Sequence, residues 1–209
     1  MPATKKPLGV ARWGWRGTLN NLAQLLQATN RLAEAEPLMR RALAIDEQSY
    51  GAEHPNLAKR LNNLAALLYA TNRLAEAEPL MRRALAIREQ SYGPEHPDVA
   101  TNLNDLAALL YPTNRLAEAE PLMRRALAIS EQSYGDQHTN VASTLWVLAV
   151  LLRDTDRLGE ALPLMERSAD IFRHFEVTNG YQHSHWNSFH GYYRQMREAA
   201  GLPDAEIEE

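Results

Sequence analysis

The sequence contains no cysteine in its 209 residues. Disulfide bonds, thiolate nucleophiles, iron–sulfur clusters and cysteine-ligated zinc are therefore excluded. Long apolar runs are also absent, because none approaches the ~20 residues of a membrane-spanning helix. Residues 1–16 carry charges and lack the apolar segment of a signal peptide. We therefore expect a soluble, cytoplasmic protein without a membrane partner.

An excess of positive charge is missing as well. The formal net charge is −4 at pH 7, whereas nucleic-acid binders carry a basic surface that neutralises phosphates. The sequence also lacks a nucleophile–base pair, paired carboxylates in a plausible pocket and a glycine-rich phosphate loop. It predicts no enzyme, no cofactor and no nucleic-acid partner. Its hydrophobic content of 45% is enough to form a core in a chain of this length.

Internal repeats are the main feature that is present. The 17-residue string from Thr29 to Ile45 recurs unchanged at residues 71–87 and 113–129, which gives a period of 42 residues. A fourth, diverged copy covers residues 155–171. Periods of roughly 20–50 residues are typical of solenoids, in which each unit buries its apolar face against its neighbours.

Each repeat predicts two helices. In the first, which we call helix A, apolar residues follow the spacing of a helical stripe, as in Leu57, Leu61, Leu64 and Leu68. In the second, helix B, the same spacing begins at Leu74 and faces a charged opposite side. The chain is therefore predicted to be all-α.

Three residue types mark the ends of these helices. Asn72 suits the left-handed conformation that closes helix A, and Asn30 and Asn114 occupy the same place in their repeats. Gly93 suits the left-handed C-cap of helix B. Pro97, with its fixed backbone angle, suits the first turn of the next helix A.

Two strings in the repeats resemble a known family. They are HPDVATNLNDLAALLY from His96 and NRLAEAEPLMRRALAIREQSYG from Asn72. Both resemble tetratricopeptide repeats, specifically the 42-residue kinesin-light-chain-like type, over roughly residues 19–171. The resemblance implies antiparallel helix pairs stacked in a right-handed superhelix, with a concave groove that is lined by A helices and binds peptides. It does not identify a partner, because this family binds many.

The pattern divides the chain into four parts. Residues 1–18 form an irregular N-terminal segment, and residues 19–177 form a solenoid of about four antiparallel helix pairs. Residues 178–201 are predicted to form a C-terminal capping helix, since solenoid ends need a cover. Its helical stripe consists of Trp186, Phe189, Tyr193, Met196 and Ala200. Residues 202–209 form an acidic tail.

Histidines raise a metal-binding alternative. His54, His96 and His138 recur at the repeat period, but stacked helices lie roughly 8–10 Å apart, too far for ligands that must converge within ~2 Å of zinc. We predict that they are loop residues. A denser C-terminal set lacks a convergent geometry and predicts no metal site either. It consists of His183, His185 and His190.

Arginine pairs raise a second alternative, a basic stripe for nucleic acid or phospholipid. The pairs stand at 40–41, 82–83 and 124–125. A glutamate precedes the first arginine of each pair by four residues, which is the favourable order for an ion pair within a helix. We therefore predict a solvated helix face. The glutamates are Glu36, Glu78 and Glu120.

The face of helix A opposite its leucine stripe is the candidate peptide-binding groove. Asparagine is a mediocre helix former, yet it recurs here, and its amide can both donate to and accept from a peptide backbone. Near-identical repeats copy every residue, so this recurrence is not independent evidence. The candidate contacts are Asn20, Gln24, Lys59, Asn62, Asn63, Tyr69, Thr101, Asn104, Tyr111, Trp146 and Arg153.

The sequence thus predicts a protein–protein interaction scaffold that holds an extended peptide or a partner helix. The alternative is a structural or oligomerisation segment of a larger assembly without a separate peptide ligand. Helix A of the first repeat is apolar at Leu22 and Leu26 although the pattern shows no preceding helix B. Either Trp13 and Trp15 cover this edge or a second molecule does, and we favour a homodimer through the N-terminal end.

Overall fold

The structure, a computed structural model, describes residues 19, 21–181 and 186–202, without the side chains of 186–188. The described residues contain helices and no strand, which confirms the all-α helical repeat fold. The helices are α1 (residues 21–28), α2 (Leu32–Tyr50), α3 (Pro55–Ala70), α4 (Leu74–Tyr92), α5 (Pro97–Leu110), α6 (Leu116–Tyr134), α7 (Thr139–Arg153), α8 (Leu158–Asn179) and α9 (Trp186–Ala199). A short 3-10 helix, Tyr111–Thr113, follows α5.

The chain divides into two compact units, Met1–Pro94 and Glu95–Glu209. In the first unit, α3 packs against both α2 and α4. In the second unit, α6 packs against α5 and α7, and α8 packs against α7 and α9. Helix α8 extends to Asn179, two residues beyond the predicted end of the repeats.

The predicted leucine stripe of helix A forms the core. Leu57, Leu61, Leu64 and Leu68 of α3 are each at most 1% exposed. The equivalent stripes of α5 and α7 are buried to the same degree. Each buried leucine contributes about 1.5–3 kcal/mol relative to an exposed one. Helix B contributes small or flexible side chains to the same layer, such as the alanine and methionine that recur in each copy.

The recurring histidines begin the A helices. Nδ1 of His54, His96 and His138 accepts a hydrogen bond from the backbone N–H two residues later, at 3.2, 3.1 and 3.1 Å. These histidines precede the helices in extended backbone, as predicted for loop residues. They also act as N-caps, which satisfy a donor that the first helical turn leaves unpaired. The rings of Tyr50 and Tyr134 stack on His54 and His138 with centroid separations of 4.5 and 4.6 Å.

The turn from helix A to helix B confirms the asparagine prediction. Asn30, Asn72 and Asn114 have φ values of 59°, 59° and 57°. Around Asn72, the N–H of Arg73 donates to the carbonyl of Leu68 at 2.8 Å, and the N–H of Asn72 donates to a carbonyl three residues back at 2.9 Å. This pair of bonds satisfies the last carbonyls of helix A.

The end of helix B differs from its prediction. Gly51, Gly93 and Gly135 have positive φ values of 90°, 89° and 82°, as expected, but their ψ values are 166°, 157° and 161°. This extended conformation is not the left-handed C-cap. It is open essentially to glycine alone, which explains why the residue type is the same in three copies.

Helix α9 covers the end of the second unit. Phe189, Tyr193 and Met196 are at most 4% exposed. The ring of Phe189 lies 5.3 Å from that of Phe172 on α8 and 6.0 Å from that of Trp146 on α7. The predicted capping helix therefore packs its aromatic stripe on the last repeat. The side chain of Trp186, residues 1–18 and most of the acidic tail lie outside the described residues.

Candidate peptide-binding face

In the first unit, four candidate residues lie on α3. Lys59 and Tyr69 are exposed, and Asn62 and Asn63 are half-buried. All four lie on the side of α3 that the buried leucine stripe does not occupy. This side therefore offers one cation, two amides and a phenol at the surface of the unit.

On α1, the candidate Gln24 is exposed, whereas Asn20 lies outside the described residues. Helix α1 also shows an unusual apolar edge. Leu22 and Leu25 are 44% and 61% exposed, although their counterparts one period later on α3 are at most 1% exposed. In α1, Leu26 is buried like its counterpart Leu68 in α3, whereas Leu22 and Leu25 are exposed.

In the second unit, the candidates on α5 form hydrogen bonds within the protein. Asn104 is half-buried, and its Nδ2 donates to Oγ1 of Thr144 on α7 at 3.0 Å. Oγ1 of Thr144 in turn donates to the carbonyl of Asn140 at 3.0 Å. Thr101 is exposed, and its Oγ1 donates to the carbonyl of Pro97 at 3.4 Å. The Asn104 amide therefore bridges two A helices.

Three further candidates meet in what we call the α7–α9 cluster: Tyr111, Trp146 and Arg153, joined by Asp154 and Tyr192. The Tyr111 hydroxyl donates to Oδ2 of Asp154. Nε of Arg153 donates to Oδ1 of the same carboxylate at 2.7 Å, and its guanidinium lies 5.5 Å from the centroid of the Tyr192 ring. The Trp146 ring lies 5.9 Å from that of Tyr192.

The electrostatics of this cluster fix its protonation states. Burial and the hydrogen bond to Asp154 raise the pKa of Tyr111 to about 12. Burial raises the pKa of Asp154, but the hydrogen bonds from Arg153 and Tyr111 outweigh it, and the pKa is lowered. At neutral pH the phenol is therefore a donor and the carboxylate is charged. Each carboxylate oxygen accepts a hydrogen bond within the protein, so the polar network connects the end of α5 to the end of α7.

Two members of the cluster escaped the sequence prediction. Asp154 follows α7 at a position where the two preceding repeats have Ala70 and Pro112, so the break in the repeat was the available signal. Tyr192 lies outside the repeats on α9, where no period identifies its neighbours. Trp146, predicted as a groove contact, is half-buried and its ring also contacts those of Phe189 and Tyr192 on α9.

The arginines of helix B are paired with glutamates, as predicted. The N–O distances within the helices are 2.9 Å for Arg40–Glu36, 2.8 Å for Arg82–Glu78 and 2.8 Å for Arg124–Glu120. The next repeat adds a cation to two of these glutamates, since Arg73 lies 2.7 Å from Glu36 and Arg157 lies 2.7 Å from Glu120. These contacts favour a solvated ion-pair network over a basic stripe for phosphates.

Metal ligands do not converge in the part of the chain that the structure describes, where no group of three or more potential ligands occurs. His190 is half-buried on α9. His183 and His185 lie outside the described residues, so the C-terminal histidine hypothesis keeps its status as a sequence prediction.

A family profile of the tetratricopeptide repeat matches residues 16–90, 61–132 and 99–174. The chain belongs to the tetratricopeptide repeat family. The overlapping matches cover most of the chain and agree with the helix pairs described above. The function class that follows is a protein–protein interaction scaffold.

Solved structures share this tetratricopeptide fold. The chain is similar to BtubC (BKLC) from P. vanneervenii, with 26% identity, a TM-score of 0.77, and coverage of 88% of this chain and 72% of that one. It is also similar to a putative kinesin light chain with nearly identical repeats from Podosopora anserina, with 22% identity, a TM-score of 0.74, and coverage of 88% and 85%. The kinesin-light-chain-like type is thereby confirmed.

A third structure, the apo form of RapI, matches with 14% identity, a TM-score of 0.75, and coverage of 89% of this chain and 64% of that one. No curated protein sequence matches the chain. Among the described helices, none combines the length and the apolarity needed to cross a membrane.

Proposed function

We propose that this tetratricopeptide repeat protein binds an extended peptide or a partner helix on the exposed face of its A helices. The observation that supports this most is the surface of α3, where Lys59, Asn62, Asn63 and Tyr69 keep polar groups accessible opposite a fully buried stripe. Amides and phenols can bond a peptide backbone without reading its sequence. We also propose that the protein is cytoplasmic.

The equivalent face of the second unit adds apolar contacts. Val147 on α7 and Tyr192 on α9 are each 39% exposed, and Ala108 on α5 is exposed. Asn104 and Thr101 supply the polar groups beside them. A ligand of mixed character, with a backbone to bond and apolar side chains to bury, suits this composition.

A peptide-array screen tests the proposal. The double variant Asn62→Ala/Tyr69→Ala removes two candidate contacts, and Gln48→Ala/Gln90→Ala is the control, because both glutamines are exposed on B helices. We expect peptides that bind the parent and the control and lose affinity for the groove variant. Equal binding to all three proteins would place the ligand site elsewhere. The absence of any bound peptide would favour the structural alternative.

A homodimer through the N-terminal end is the second part of the proposal. It is supported by the exposure of Leu22 and Leu25 on α1, because exposed apolar edges on repeat proteins favour association. Two like edges related by a two-fold axis would close as a dimer and avoid open fibres.

Light scattering across a dilution series tests this association. Leu25→Glu places a charge on the edge, and Gln27→Glu is the control, since it adds the same charge on the other side of α1. We expect a parent and a control that dissociate only at low concentration, and a Leu25→Glu variant that is monomeric throughout. A parent that stays monomeric at high concentration would exclude the dimer.

A further inference from the structure

The first helix A differs from the second in one neighbour. Helix α1, like α3, is followed by its own helix B, but α3 also packs against α2, the helix B that precedes it. Leu64 and Leu67 of α3 are buried, whereas their counterparts on α1, Leu22 and Leu25, are exposed and Leu26 is buried. The exposed pair therefore marks the side of α1 that corresponds to the α2 side of α3.

Two arginines of the second repeat bind carboxylates of the first. Nη1 of Arg73 donates to Oε2 of Glu36 on α2 at 2.7 Å, and Nη1 of Arg83 donates to Oε1 of Glu47 at 2.5 Å. The two glutamates are 11 residues apart, which is three helical turns and about 16 Å, so both lie on one side of α2. Leu43 lies between them on the same side and is buried.

The same contacts join the third and fourth repeats. Nη1 of Arg157 donates to Oε2 of Glu120 at 2.7 Å, and Nη1 of Arg167 donates to Oε1 of Glu131 at 2.5 Å. In both units, a helix B therefore contacts the repeat that follows it through two carboxylates 11 residues apart, with an apolar residue between them. We call this pattern the acidic stripe of helix B.

The first repeat has both arginines without an acidic stripe to bind. Arg31 pairs through Nε and Nη2 with Glu34 in the first turn of α2, and its Nη1 forms no hydrogen bond with any described residue. Arg41 is exposed and forms no ion pair within the described part of the chain. These two arginines, together with Leu22 and Leu25, form what we call the N-terminal edge.

The rest of this chain does not supply an acidic stripe to the edge. Residues 1–18 contain four lysines and arginines and no acidic residue. At the other end of the repeats, α8 has Leu162 and Arg173 where the earlier B helices have the two glutamates. A second copy therefore does not complete the edge by continuing the solenoid head to tail. Charge complementarity favours a helix from another protein.

We propose that the N-terminal edge binds an amphipathic helix of a separate partner protein that carries an acidic stripe. The helix lies against α1 as α2 lies against α3, with one carboxylate on Arg31 and the other on Arg41. Burial of Leu22 and Leu25 supplies most of the affinity, because exposed ion pairs contribute little. The two arginines fix the direction and the register of the helix.

This site is distinct from the peptide-binding face of the A helices. It uses the same edge as the proposed homodimer, so the bound helix and the homodimer exclude each other. A partner with this helix would thereby convert the dimer into a monomeric complex.

A synthetic peptide of residues 116–134 is the probe, because α6 carries a complete acidic stripe. Helix α6 also precedes α7, in which Thr144 stands at the position that Thr18 has in the first repeat. A hydrocarbon staple between positions 122 and 126, away from the stripe, keeps the peptide helical, since short isolated helices are marginal in water. Fluorescence anisotropy measures binding of the labelled peptide to the full chain.

Charge exchange tests the register of the complex. We expect one peptide to bind per chain, and Arg41→Glu to weaken this binding about five-fold. A peptide with Glu131→Arg should restore binding to Arg41→Glu and bind the parent weakly. Arg194→Glu, at an exposed position of α9, is the matched control and should bind as the parent does.

Two further measurements separate this site from the proposed function. The groove variant Asn62→Ala/Tyr69→Ala should bind the helical peptide as the parent does. Light scattering with saturating peptide should show a monomeric complex at every protein concentration. A parent that is monomeric without peptide would exclude the homodimer alone, since the anisotropy titration tests the helix site independently.

Three results would overturn the proposal. A parent that does not bind the peptide would show that residues 1–18 or a second copy cover the edge. Equal affinities of the parent and Arg41→Glu, or no restoration by the Glu131→Arg peptide, would show that charge complementarity does not select the helix. Loss of binding in the groove variant would place the helix on the peptide-binding face instead.

Discussion

The packing of α9 allows the effect of Phe189→Ala on the free energy of unfolding to be estimated. Phe189 is 0% exposed, and its ring centroid lies 5.3 Å from that of Phe172, 6.0 Å from that of Trp146 and 5.8 Å from that of Tyr193. Phe189→Ala removes these contacts and leaves a cavity between α7, α8 and α9. Substitutions of this kind in cores cost about 3–5 kcal/mol.

The size of this loss determines how the protein responds. Whole domains are stable by only about 5–15 kcal/mol, and α9 packs mainly against α7 and α8. A loss of about 3–5 kcal/mol is thus comparable to the free energy that docks a single terminal helix. We expect α9 to detach in Phe189→Ala while α5 to α8 remain folded.

Amide hydrogen exchange in α9 is the assay, with circular dichroism as a measure of total helix. Since each 1.4 kcal/mol is a factor of about ten, exchange in α9 should accelerate by about a hundred-fold or more, and exchange in α6 should change little. Gln195→Ala, at an exposed position of the same helix, is the control. Unchanged exchange in Phe189→Ala would refute the assignment of α9 as an energetically coupled cap.

Four further predictions follow from the same contacts. His96→Ala should lower the free energy of unfolding by about 0.5–2 kcal/mol, and His96→Asn by less, because asparagine restores the cap acceptor. Asp154→Asn should be less stable than the parent at pH 7. The pKa of Asp154 is lowered in the folded protein. Its carboxylate therefore contributes to the free energy of unfolding above the unfolded-state pKa near ~3.9, and this contribution is lost as the pH falls through the folded-state pKa. Asn104→Ala should lower the free energy of unfolding, because the lost hydrogen bond to Thr144 contributes about 1 kcal/mol and the gain in helix propensity is only a few tenths of a kcal/mol. A chelator should leave the melting temperature unchanged, because the spacing of the C-terminal histidines predicts no metal site.

Urea unfolding measures the effects of the four substitutions, and thermal melting measures the chelator effect. An equal loss in His96→Ala and His96→Asn would show that capping is not the cause. A difference between parent and Asp154→Asn that persists at pH 2 would contradict the ion-pair explanation. An Asn104→Ala protein as stable as the parent would mean that its amide serves a ligand rather than the fold, and a chelator-induced loss of stability would reveal a metal.

The sequence is sufficient to predict the fold, because the same helix signals occur at the same positions in several repeats. The leucine stripe and the left-handed asparagine recur in register, so each copy confirms the others. The helix N-caps were missed for a physical reason: histidine is not among the preferred capping residues, and only the position of its Nδ1 shows that it accepts a hydrogen bond. Gly93 was predicted correctly in φ and not in ψ, since residue type restricts the first angle more than the second.

The candidate site is less predictable, because it depends on contacts between repeats. Tyr111 and Asp154 are far apart in sequence, and their hydrogen bond requires the end of α5 to lie beside the end of α7. The helical pattern predicts which side of helix A a residue occupies, and it cannot tell whether α9 covers that side. Trp146 shows this limit: its place on the face was predicted, while its contact with Tyr192 was not.

The repeats differ from one another mainly on helix A, whereas the contacts that stack them involve helix B. In the first three copies, helix B varies at one position, which is buried as Asp46 and Ser130 and half-buried as Arg88. Ion pairs join successive repeats, such as Arg73 with Glu36 at 2.7 Å. Helix A varies on its accessible face, where Asn62 and Asn104 are followed by Trp146 at the same register. Stacking through helix B does not require any particular residue on that face, so the face is free to differ from repeat to repeat. Within the second unit, the proposed ligand would meet Asn104 on α5 and Trp146 on α7, so the two A helices would offer it different chemistry.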